Sequence, residues 1–102
     1  MKRLLLLLTL VLAQPAAADM GKQFYKERID AANSMVSVAL RAKNAGDIDQ
    51  LCLEIGTAAR VIGVYMTGMN KHFPAEDWFA YRQKLRGIHE KYECVQRGHI
   101  AP

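Results

Sequence analysis

Strand signals are nearly missing from this sequence. No stretch alternates cleanly between apolar and polar residues, and neither Asn-Gly nor Asp-Gly occurs. A sheet built on tight hairpins is therefore excluded. Proline is scarce, with Pro15, Pro74 and Pro102 the only three. Cysteine is limited to Cys52 and Cys94. The chain has 102 residues, too few for a two-domain enzyme, a propeller or a (β/α)₈ barrel. Apolar residues make up 51% and charged residues 24%, a balance that excludes a disordered tail.

Reactive motifs are missing as well. There is no G-x-S-x-G elbow and no Gly-rich phosphate loop. His89-Glu90 is followed by Lys91-Tyr92-Glu93, so H-E-x-x-H is absent, and neither cysteine belongs to a C-x-x-C-H haem attachment. Ser34, Ser37, Thr57 and Thr67 all fall within helical patterns. Asp47 and Asp49 read as a helix cap and a first-turn charge, not an acid–base pair. The expectation is a protein that is not an enzyme.

What is present begins with an address. Met1-Lys2-Arg3 precedes an apolar run from Leu4 to Leu12, then Gln14-Pro15 and Ala16-Ala17-Ala18. This is the layout of a secretory signal peptide over residues 1–18, cleaved near Ala18. The apolar run rises about 13 Å as a helix, short of the roughly 30 Å of a bilayer core. No membrane span is expected in the mature chain, which is placed in the periplasm or secreted. Cleavage leaves 84 residues as one domain, 19–102. Lys2 and Arg3 leave with the leader, so 14 basic residues become 12 against 10 acidic ones, net +2. Nucleic-acid binding thereby loses its electrostatic motive.

Three stretches have helical period. The first runs from about Lys22 to Ala45. Phe24, Ala32, Met35, Val36, Ala39 and Ala42 lie on one side of it, widened by Ile29 and Leu40. Gly46 is the expected stop. The second opens at an Asp47 cap, with Gln50 completing a capping-box-like pair. Its stripe is Ile48, Leu51, Cys52, Ile55, Ala58, Ala59, Ile62, Tyr65, Met66 and Met69. After a break at Lys71–Pro74, Trp78, Tyr81, Leu85, Ile88, Tyr92 and Val95 repeat at steps of three and four, with Gly98 marking the end. His99 to Pro102 reads as a frayed tail.

Short connections make successive helices antiparallel. The fold class expected is all-α: a small three-helix bundle with a C-terminal antiparallel helical hairpin. Cys52 and Cys94 stand equally far from residue 73, at the open end of that hairpin, where a disulfide is expected. Cys94 nevertheless points about 140° away from the Trp78–Val95 stripe at 100° per residue. Either the helix unwinds near Glu93, or Cys94 faces the first helix, or the bond joins two chains.

Two functional classes remain. Leu53, Val61 and Val64 lie off the main stripe of the second helix. With Phe73, Trp78 and Phe79 beside the turn, they suggest contact with another periplasmic protein or with a second copy. That reading is a non-catalytic binder of inhibitor, immunity, adaptor or chaperone type, with no cofactor. The alternative is a small copper protein. Met66, Met69 and His72 offer two thioethers and an imidazole at three-residue steps, a donor set suited to Cu(I). His89 and Glu93, with Arg82 and Arg86, read as a solvated ion-pair face.

Overall fold

A computed structural model describes the backbone from residue 5 to residue 102 and the side chains from residue 21 onward. The leader assigned to residues 1–18 lies outside the residues whose side chains are described. The described chain is all-helical: α1 is Leu5–Asn44, α2 is Ile48–His72 and α3 is Trp78–Lys91. α2 is the central element, packed on α1 along one flank and on α3 along the other. α1 and α3 meet where the Tyr81 hydroxyl donates to Asn33 Oδ1 at 3.3 Å.

The α1–α2 turn is built by one glycine. Gly46 takes φ +79°, and two hydrogen bonds close the helix behind it: Gly46 N–H to Lys43 O at 3.1 Å and Asp47 N–H to Ala42 O at 2.9 Å. This is a Schellman closure, which satisfies carbonyls a helix end leaves open. Asp47 then caps α2 by accepting from Gln50 N–H at 3.1 Å. The Gln50 side chain donates forward to Glu54 instead of back to the cap, so half of the expected box forms. Asp77 caps α3 by accepting from Ala80 N–H.

The core follows the expected stripes with corrections. Leu51, Cys52, Ile55, Ala58, Ala59, Ile62 and Met69 of α2 are buried together with Ala32, Ala39 and Ala42 of α1 and Trp78 and Leu85 of α3. On α1 the order of importance is reversed. Phe24 and Leu40 are exposed, and Tyr25, outside the expected stripe, reaches the core. The reason is Gly68, whose missing side chain leaves the slot the Tyr25 ring fills.

The third helix stops earlier than its pattern. Regular α3 ends at Lys91, and Glu93 adopts φ +54°. Glu93 N–H bonds to Glu90 O and Cys94 N–H to His89 O, the same closure as at Gly46 but with a non-glycine residue in the left-handed position. A single further turn follows and is closed in its turn by Gly98 at φ +99°. The reversal at Glu93 swings Cys94 round to Cys52, and the intramolecular disulfide forms with Cα atoms 5.5 Å apart. Of the three alternatives for the misaligned cysteine, unwinding near Glu93 is the one adopted. Val95, displaced from the helix, is exposed.

Candidate functional site

Glycines let α3 side chains close onto α2 along the seam. Gly56 and Gly63 are two turns apart on the face of α2 that meets α3. His89 lies over Gly56, its Nε2 3.2 Å from the position a Cβ would occupy. Arg82 lies over Gly63, with Nε 2.8 Å from the corresponding position. Pairs 56/89 and 63/82 thus keep one antiparallel register, and the Cys52–Cys94 bond closes the same end of the seam. Arg60 Nη1 also comes within 3.5 Å of the Gly56 Cβ position, so a guanidinium and an imidazole share that small space.

Both nitrogens over the glycines lack partners. Arg82 Nε and His89 Nε2 are buried with no hydrogen bond. His89 is only 2% exposed. Burial first, then the positive neighbours His99 and Arg60, hold its pKa below the ordinary histidine value. The expected solvated face is therefore corrected. His89 has turned into the seam, and the chain reversal after Lys91 takes Glu93 off its helix face.

The C-terminal segment is ordered against this seam. His99 Nε2 is 3.1 Å from Asp49 Oδ1, Arg97 Nη1 donates to the same oxygen, and Arg60 Nη1 donates to Ile100 O at 3.4 Å. The frayed tail of the sequence reading is thus a strap across α2. Two clefts flank it. One of about 450 Å³ has Arg86, Gly87, His89 and Val95 among its walls, and one of about 220 Å³ has Leu53, Arg60, His99 and Ile100.

The other candidate residues are distributed as follows. Cys52 and Cys94 are joined and buried. Met69 is fully buried in the core and Met66 packs half-buried against it, while the His72 ring stacks on Tyr25 at 5.5 Å. Among the described residues, no group of three or more His, Cys, Asp or Glu is placed to hold a metal ion. Trp78 turns inward, its Nε1–H donating to Phe73 O at 2.9 Å. Phe73 packs half-buried on the core under the Lys22 ammonium, 5.6 Å from the ring centre. Phe79 is exposed. Leu53 and Val64 stand in solvent, whereas Val61 is packed against the core. A glycine on a helix reads equally as weak propensity or, at Gly63 beside Ala59, as room for a neighbouring helix, so the sequence left the seam undecided; the matching seven-residue spacings of Gly56/Gly63 and Arg82/His89 were the further signal.

No family model, curated protein or solved structure matches the chain.

Proposed function

We propose that this is an exported, non-catalytic helical protein that works by binding another protein. Export is supported by the leader pattern of residues 1–18 and by the Cys52–Cys94 bond, which persists in oxidising compartments. No described helix is long and apolar enough to cross a membrane. One observation carries the binding reading. Leu53 and Val64, 51% and 73% exposed, stand eleven residues apart on the solvent side of α2. Three turns of helix align them on one line about 16 Å long. Ile100 of the strap, 75% exposed, borders the same small cleft as Leu53. Large aliphatic side chains placed in a row on an otherwise polar face form a surface suited to a protein partner.

Photo-crosslinking in the exporting cell tests this. A photoreactive residue at Val64 should give a discrete adduct that the Leu53→Asp substitution removes. The same probe at Lys84, on α3, should give none. Equal labelling from both positions, or none from either, contradicts the reading. Copper bound one-to-one in protein purified from those cells would favour the set Met66, Met69 and His72 instead.

A further inference from the structure

We propose that the end of the strap is an acid-released clamp on the partner-binding row. Arg60 holds Ile100 beside Leu53, and a proton on His89 drives Arg60 off and frees residues 100–102. The consequence for binding rests on the reading above; the release itself does not.

The strap has two anchors of different kinds. His99 and Arg97 are fixed on Asp49 Oδ1, at 3.1 and 3.4 Å. One residue further on, Ile100 O accepts from Arg60 Nη1 at 3.4 Å. Among the described residues, nothing else hydrogen-bonds residues 100–102. Arg60 is thus their clasp on α2.

That clasp lies against a buried titratable ring. Arg60 Nη1 and His89 Nε2 are both within 3.5 Å of a single point, the Cβ position over Gly56. His89 is 2% exposed, and its Nε2 has no partner. From the strap, a charged His99 is a second positive neighbour. On α3 itself, Arg86 and Glu90 share a cleft wall with His89 and bring one charge of each sign. Among the described residues, neither Arg60 nor His89 has a carboxylate within 4.0 Å. A proton on His89 therefore sets imidazolium against guanidinium where water screens them poorly. The ring is packed in the seam, whereas Arg60 is half-buried on a flexible stem. Arg60 is the group that moves outward, and its bond to Ile100 O is lost.

Acid acts in the opposite sense on the other anchor. A charged His99 ring gives Asp49 a stronger hydrogen bond. Asp49 stays ionised, because the His99 hydrogen bond first, and then Arg97, hold its pKa below 3.8. Asp49 is 67% exposed, so water and salt screen this pair and it does not offset the buried repulsion. The strap pivots at His99 instead of leaving α2 altogether. Ile100, which borders the small cleft with Leu53, departs, and the aliphatic row is cut to Leu53 and Val64. Partner binding weakens in acid.

Nuclear magnetic relaxation of the ¹⁵N-labelled, disulfide-bonded full chain between pH 7.5 and pH 4.5 is the test. The order parameter of the Ile100 amide should fall from about 0.85 to below about 0.6. The midpoint should match that of the His89 ring resonances, below pH 6.5, while the His99 amide stays rigid. In His89→Gln, Ile100 should stay rigid throughout. Arg60 is half-buried, so Arg60→Gln keeps the fold, and there Ile100 should be mobile already at pH 7.5. An unchanged Ile100 in the unsubstituted protein, a fall that persists in His89→Gln, or a rigid Ile100 in Arg60→Gln overturns the release. So does loss of Leu85 amide protection at the same midpoint, which would mark unfolding of the core. Val64 crosslinking should drop about threefold from pH 7.5 to pH 5 and stay level in His89→Gln. Level crosslinking despite release overturns the effect on binding. No crosslink at either pH, with release intact, overturns the binding reading and leaves the clamp.

Discussion

The imidazole of His89 occupies the space over Gly56, with Nε2 3.2 Å and Cδ2 3.3 Å from where a Cβ would stand. One glycine thereby decides the closest approach of α2 and α3, and it seats a titratable ring in a place that water does not reach. Four consequences can be measured.

The first concerns pH. Burial, then the charges of His99 and Arg60, keep His89 below its ordinary value of 6.5. The unfolded chain takes up a proton that the folded chain refuses. The stability this group contributes is complete above about pH 6.5 and is lost as pH falls from there through the folded value. Asp49, held below its ordinary 3.8 chiefly by the His99 hydrogen bond and then by Arg97, adds stability that fades only below that value. The melting temperature should therefore drop between pH 7.5 and pH 5, and His89→Gln should flatten that drop. An equal drop in the variant would exclude His89 as its source.

The second concerns glycine spacing. A Cβ on Gly68 would overlap the Tyr25 ring, whereas one on Gly87 meets nothing within 4 Å. Gly68→Ala should destabilise by about 1–3 kcal/mol despite its better helix propensity. Gly87→Ala should stabilise by up to about 1 kcal/mol. In urea unfolding, Tyr25→Ala combined with Gly68→Ala should lose less than the two single losses added together.

The third concerns the chain reversal. Glu93 holds a left-handed conformation, which costs a side-chain-bearing residue about 1 kcal/mol more than glycine. Glu93→Gly should raise stability by about that amount. Removing the disulfide that the reversal permits, by Cys52→Ala with Cys94→Ala, should lower it by about 4 kcal/mol, given a separation of 42 residues. Amide exchange should then quicken first in the strap beyond Lys91.

The fourth separates two neighbouring aromatics. Trp78 is buried and bonded to Phe73 O, and Phe79 is exposed. Trp78→Ala should cost about 3–5 kcal/mol in chemical denaturation, and Phe79→Ala less than about 0.5 kcal/mol. Trp78 is the sole tryptophan, so its fluorescence should be blue-shifted and poorly quenched by acrylamide in the folded protein. Emission like that of the unfolded chain would contradict the placement.

The helices and their order were legible because they depend on local features: Asp47 as a cap, Gly46 as a stop, and apolar residues returning every three or four positions. The cysteine pairing was legible from the equal arms of the hairpin. The seam was not. Arg82 and His89 look like any polar helix face until the α2–α3 register sets them over Gly63 and Gly56.

From its residues alone, this chain is committed to three helices and to short turns between them. Those outcomes follow from backbone propensity and hydrophobic period, which act over a few residues. Tertiary packing decided that Tyr25 instead of Phe24 enters the core, that α3 breaks at Glu93, and that His89 is buried and Arg60 left without a carboxylate. Such choices depend on which side chain meets a gap on another helix, and the gaps arise only when the helices come together.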